Sequence, residues 1–306
     1  MTRNARAAAI LVSALLGAPL LAAAQEAGPA ANAGTSSEPR RDAVAAILRT
    51  PRQEAATSLA DQHARALRAL GFDVLPEAQP LLADSRLSTD AARAMLALDE
   101  LRAMSMIFAA IPRTSLSTQL VGFVWFLEHE GSLAGPLGPE AHAAASRVLV
   151  RIESTSMAEL ALYTIGMVGS AADFPLLEEF ASNQAFGGQG LRTASQAALS
   201  RLGSRPHIEG IRAQLAEPLP ARPGYQQGLR VAQVLRQAGF AANATLVPAV
   251  CAHMADPAIG DFDIRIEPAR IAASALSLIL EPVTEKRPRG APRRSLDEWK
   301  TYCAQL

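Results

Sequence analysis

The sequence predicts an all-α chain, an α-solenoid of stacked helical hairpins, on three observations. Apolar residues recur at three- and four-residue spacing between Gly and Pro breaks, the period of amphipathic helices. No segment sustains the period-two alternation of β-branched residues that a strand needs, so no sheet is expected. Helix-ending phrases also recur through the C-terminal half at spacings of 34 and 36 residues, from Gly169 to Gly203 to Gly239. Periods of that length carrying two helices each indicate stacked hairpins, because a single hairpin cannot bury its apolar face and each copy covers its neighbour.

Composition limits the function. Of 306 residues, 49% are hydrophobic and 5% aromatic, which is too apolar for a disordered chain. The 29 basic residues balance 29 acidic ones, so no general electrostatic drive toward nucleic acid is expected.

The chain opens with Arg3 and Arg6, an apolar run from Ala7 to Leu16, a break at Gly17 and Pro19, and the small residues Ala22, Ala23 and Ala24. This pattern predicts a signal peptide over 1–24 cleaved between Ala24 and Gln25, and hence a periplasmic or secreted protein. The apolar stretch is shorter than the ~20 residues of a membrane span. Cleavage removes two arginines and no acid, leaving 27 basic against 29 acidic residues. Residues 25–40, rich in Ala, Gly, Ser and Pro, read as a flexible linker, and 41–306 as the helical repeat domain.

Within that domain a helix is expected over Pro51–Leu70, with Thr50 as cap, Pro51 in the first turn and Gly71 as the left-handed stop. A longer helix is expected from Thr89 to Ala110, with Met95, Leu98, Leu101 and Phe108 on one side. Leu120–Leu127 is apolar on nearly every face and reads as a buried helix. Gly169, Gly203 and Gly239 are each expected to close a helix, followed by second helices over Phe174–Phe180, His207–Leu215 and Ala244–Met254. A last helix, 296–305, closes the chain.

The phrase Leu191-Arg192-Thr193-Ala194-Ser195-Gln196-Ala197-Ala198-Leu199-Ser200-Arg201-Leu202-Gly203, followed by Pro206 and Ile208 to Leu215, resembles a HEAT repeat of the short type also found in bilin lyases. The resemblance is clearest over 156–282 and fainter over 60–155. Arg230-Val231-Ala232 and Arg270-Ile271-Ala272 repeat the opening of Arg192-Thr193-Ala194. The copy at Leu229–Gly239 is two residues shorter, the copy at Ala269–Ile279 lacks the closing Gly, and the Asp that often opens the turn has a counterpart only in Asp173. The resemblance implies a curved scaffold that binds proteins. Some relatives assist cofactor attachment.

Chemistry-bearing residues are sparse. His63, His129, His142, His207 and His253 are scattered, and Glu128-His129-Glu130 lacks the helical spacing of a zinc site, so neither metal nor cofactor is expected. No G-x-S-x-G elbow is present, and Cys251 and His253, two apart, fall on different helix faces, so no catalytic residue is assigned. Asp61, His63, Glu128 and His129 are the polar residues to inspect for an active site. In an exported chain Cys251 and Cys303 either pair, pinning the last helix to the last repeat, or lie as buried thiols. The loop Asp256–Glu267, longer than its counterparts in the other repeats, carries Asp261, Phe262 and Asp263 as a partner-binding loop. Lys286, Arg287, Arg289, Arg293 and Arg294 form a basic run that reads either as a solvated linker or as a weak membrane or partner contact. Phe108, Phe123, Trp125 and Phe126 read as core, with an aromatic ligand pocket as the rival.

The expected function is a non-enzymatic scaffold binding another envelope or secreted protein. An enzyme or cofactor-attachment accessory, and a small-ligand- or lipid-binding helical protein, are the alternatives.

Overall fold

The structure, a computed structural model, describes residues 37–51, 57–182, 189–217, 219, 223–260, 265–281 and 294–306. The signal peptide expected over 1–24, with Ala24 and Gln25 at its predicted cleavage point, and most of the segment expected as linker lie outside the described residues. The helices are α1 (Ser37–Leu48), α2 (Leu59–Arg68), α3 (Leu75–Ala78), α4 (Ser88–Leu98), α5 (Glu100–Ala110), α6 (Leu116–Glu128), α7 (Glu130–Val150) and α8 (Thr155–Val168). They continue as α9 (Phe174–Ser182), α10 (Gln189–Arg201), α11 (Arg205–Leu215), α12 (Tyr225–Ala241), α13 (Val247–Cys251), α14 (Pro268–Leu280) and α15 (Leu296–Ala304). The chain is all-α apart from one antiparallel ladder, β1 (Ile259–Gly260) with β2 (Arg265–Ile266), which the expectation of no sheet missed. Among the described residues no helix is long and apolar enough to cross a membrane.

Helix ends follow capping chemistry, and this corrects several predicted boundaries. Helix α1 begins at Ser37, inside the segment read as linker. Thr50 does not start a helix: its hydroxyl donates back to the Ile47 carbonyl (2.6 Å) as α1 ends. Ser58 caps α2 instead, its Oγ accepting the Asp61 N–H. Residues 89–110 form two helices, because Asp99 adopts an extended conformation and its carboxylate accepts the Arg102 N–H to start α5. Leu101, placed with the apolar face in the sequence, is exposed as a result. Gly71 (φ +72°) and Gly203 (φ +92°) take the left-handed conformation expected of helix stops. Gly239 does not. It lies buried inside α12, which runs on to Ala241, and Ala242 makes the left-handed turn. The second helix expected over Ala244–Met254 is broken into a 3₁₀ turn, α13 around Pro248, and a second 3₁₀ turn, Ala252–Ala255.

The packing is serial. Each of α2, α4, α6, α8, α10 and α12 lies against the next but one helix in the chain, ending at α14. The intervening helices cover this row: α5 packs on α4, α6 and α7; α9 on α10; α11 on α10 and α12; α13 on α14; and α15 on α13 and α14. Close approach in the row uses small residues. A Cβ on Gly166 of α8 would sit 2.8 Å from Ala198 Cα of α10, and one on Gly239 would sit 2.9 Å from Ala275 Cα of α14. That contact, not a turn, is what requires glycine at 239. Two main cores result. The first runs from Val44 to Leu199 and centres on Phe108, Phe123 and Phe126, with ring centroids 5.4–5.7 Å apart across the Phe108 pairs. The second runs from Ile208 to Trp299. The β1–β2 ladder docks separately on α12, where Ile259 and Ile266 pack over Gly228.

Candidate functional site

The densest group of interacting polar side chains around the residues chosen from sequence lies where α5, α6 and α7 meet. Asp99, by capping α5, places Glu100 in its first turn. The last turn of α6 carries Trp125 and Glu128, and His129 links α6 directly to α7, which begins at Glu130. Trp125 Nε1–H donates to Glu100 Oε1 (2.6 Å). The His129 ring stacks on the Trp125 indole with centroids 4.4 Å apart and an interplanar angle of 14°. His129 Nδ1 lies 2.9 Å from the Trp125 carbonyl, an acceptor, so Nδ1 carries the proton; Nε2 lies 3.9 Å from Glu100 Oε1. Trp125 is therefore half-buried and hydrogen-bonded at the edge of the first core. It does not share the buried cluster of Phe108, Phe123 and Phe126 that the sequence grouped it with.

Glu128 differs from its neighbours. Its Oε1 is buried without a hydrogen-bond partner, and burial pushes its carboxyl up to about 7. A charged carboxylate loses hydration there with nothing to replace it. Glu130 is held instead by Arg201 of α10 in an ion pair in which both side chains are largely buried. The same guanidinium donates to the Phe240 carbonyl at the end of α12 (2.9 Å) and lies 5.3 Å from the centre of the Phe240 ring, which meets Tyr163 of α8 edge-on. Arg201 thus ties α7, α10 and α12 at one point. Sequence reasoning missed this residue: it stands in an ordinary repeat phrase, and its carboxylate partner is 71 residues away.

Chemically, the raised pKa of about 7 that burial gives Glu128 places its protonated and charged forms close in energy near neutral pH. The nearby Ser132 hydroxyl donates to the His129 carbonyl and is not paired with a base. Asp61 and His63 are held elsewhere: Asp61 accepts from the Ser58 hydroxyl (2.5 Å), and buried His63 places Nε2 3.1 Å from the Thr50 carbonyl. The four polar residues singled out from sequence therefore fall into two separate local sets.

The other histidines bridge successive elements. His142 of α7 meets Asp173 ahead of α9 (2.8 Å), and His253 meets Asp256 (2.5 Å) and the Leu215 carbonyl at the end of α11 (2.9 Å). His207 Nδ1 lies 2.8 Å from the Ser204 hydroxyl, and its Nε2 is 3.7 Å from Glu178, beyond hydrogen-bond reach. Ser204 is buried at the start of α11, so its hydroxyl faces the protein interior and not solvent. Among the described residues no group of three or more His, Cys, Asp or Glu is placed to hold a metal ion.

Cys251 and Cys303 are joined in a disulfide, with Cα atoms 5.3 Å apart. Asp261, Phe262 and Asp263 lie outside the described residues, although the ladder that flanks them packs on α12. Lys286, Arg287, Arg289 and Arg293 also lie outside them. Arg294 is described, and its guanidinium covers the rings of Trp299 (4.7 Å) and Tyr302 (5.3 Å). In comparisons with known proteins, no family model matches the chain, no curated protein matches it, and no solved structure matches it.

Proposed function

We propose that the chain is an exported α-solenoid of HEAT-like hairpins that acts as a scaffold and binds another envelope or secreted protein without catalysing a reaction. The observation that carries this reading is the serial packing of α2, α4, α6, α8, α10, α12 and α14, each against the next but one, with the intervening helices along them. Such an array gives every module a similar outward surface and suits an extended contact with a protein. The disulfide supports an oxidising compartment, periplasmic or extracellular. The charge balance argues against nucleic acid as partner, and membrane contact is limited to the signal peptide and weak attraction through the basic run.

The test is crosslinking of the tagged, full-length chain in cells, followed by recovery from the envelope fraction. Recovery of one protein in stoichiometric amount, rebound by the purified chain, is the expected result. A purified chain that binds no envelope protein and instead turns over a substrate would sink the proposal. The enzyme or cofactor-accessory reading is favoured by one feature, the Glu128 carboxyl that titrates near neutrality beside His129. Glu128→Gln separates the two, leaving partner recovery intact for a scaffold and abolishing turnover for an enzyme.

A further inference from the structure

We propose that α15 is a redox-latched cap: reduction of Cys251–Cys303 by a dithiol frees the helix from its seat on α13 and α14 while the rest of the domain stays folded. The inference rests on how little else holds α15. It has nine residues, too few to stay helical in water alone, although Ser295 and Glu298 form a capping box at its start. Trp299 is its one buried side chain; Leu296, Tyr302 and Cys303 are half-buried and the others mostly exposed. Cys303 stands four residues after Trp299, so both project from the same face of the helix. One fully buried ring and one covalent bond therefore secure that face, helped by the half-buried Leu296 and Tyr302, with the Arg294 guanidinium over the Trp299 ring. The contacts of α15 are with α13, the 3₁₀ turn Ala252–Ala255 and α14, all at the end of the second core. No later described helix packs over it, so it can leave without displacing another element.

Both half-cystines are partly exposed, so a thiolate can reach the bond. In the step proposed, one thiolate of a dithiol attacks Cys303 Sγ, forming a mixed disulfide and expelling the Cys251 thiolate, which takes up a proton. The second thiol of the reductant, as thiolate, attacks its own partner sulfur in that mixed disulfide and releases Cys303, which is protonated in turn. Two electrons and two protons pass to the protein, and the dithiol leaves as its disulfide. Without the bond, buried Trp299 and the half-buried Leu296 and Tyr302 must offset the entropy of ordering the helix. Release uncovers the apolar end of the second core around Val250, Met254 and Leu276. The inference does not depend on the scaffold reading, since it concerns only what the bond holds in place.

The experiment uses the full chain, oxidised and after treatment with dithiothreitol under native conditions, with thiols counted by alkylation and mass spectrometry. Amide exchange is followed in peptides covering 294–306 and, as control, 225–241. The expected result is two new thiols and at least about tenfold faster exchange in α15, with α12 unchanged. Cys251→Ala should show the fast α15 without reductant. Three outcomes overturn the proposal: a bond that resists dithiothreitol until the protein is denatured, α15 exchange unchanged after both thiols are labelled, or α12 exchange rising together with α15, which would make the bond a staple of the whole second core.

Discussion

The two cores share one helical grammar and differ in what secures them. The first buries 42 residues from Val44 to Leu199 among the described ones, with three phenylalanine rings at its centre and no covalent link. The second buries 16, from Ile208 to Trp299, and its end is closed by a disulfide across 52 residues. A smaller core buries proportionately less surface and leaves less margin over chain entropy. Closing a loop of that length contributes about 4 kcal/mol in the chain-entropy model, comparable to a large buried side chain. The difference teaches that, among the described residues, covalent closure falls on the smaller of the two main cores, where burial is thinner.

What joins the cores is more polar than either. Gln233 of α12 donates to the Thr193 hydroxyl of α10 (2.5 Å), Gln237 donates to the Thr193 carbonyl (3.2 Å), and Arg201 spans from Glu130 to Phe240. Such bonds need one alignment of α10 on α12, so they select a register that apolar packing alone would leave loose.

The largest expected effect probes the inequality directly. Phe123→Ala should cost about 4 kcal/mol, by leaving a cavity in the first core, and should shift the main denaturation transition. Trp299→Ala should leave that transition in place and lower only a smaller, separate one, read by exchange in α13–α15. Equal shifts of one transition by both variants would show a single cooperative unit in place of two. Next, Arg201→Met should cost about 3 kcal/mol, because it strands the Glu130 carboxylate in a largely buried setting. Most of that loss should return in the Arg201→Met/Glu130→Gln double variant, measured in a denaturant double-mutant cycle.

A glycine pair tests the close approach within the second core. Gly239→Ala should cost about 2 kcal/mol, since the new Cβ meets the Ala275 backbone at 2.9 Å. Gly210→Ala, in α11 with nothing within 4 Å, should instead stabilise by about 0.5 kcal/mol. If both variants destabilise, the contact at 239 is not what distinguishes them. A further modest effect is electrostatic and belongs to the first core. The folded state holds Glu128 protonated up to about pH 7, whereas the unfolded chain releases that proton near its ordinary value of 4.5. Its contribution is therefore fully present below pH 4.5 and lost as pH rises to 7. Glu128→Gln should flatten that slope and leave the protein about 1 kcal/mol more stable than the parent at pH 8, a figure reduced for partial hydration of the carboxyl. Thermal unfolding at pH 5, 6, 7 and 8 reads it.

Much of this was visible in the chain before any packing was known. Three- and four-residue spacing and the left-handed stops at Gly71 and Gly203 act within a few residues of themselves, so local sequence reports them, whereas the cap expected at Thr50 is taken by Ser58. Pairing of Cys251 with Cys303 was one of two readings, reached from an export signal and a count of two. The split at Asp99 was misread because an aspartate between apolar stretches serves equally as a solvated helix residue and as a cap, and only the geometry of α5 against its neighbours separates the two. Gly239 was misread for the converse reason: a glycine at a repeat interval signals a turn, while here it answers to Ala275, 36 residues onward. Arg201 carries no local mark, and the sequence that singled out Glu128 and Trp125 does not report how deeply either is buried. Their burial, their partners and the raised pKa of Glu128 come from helices up to 71 residues distant, and such contacts exist only once the rows have packed.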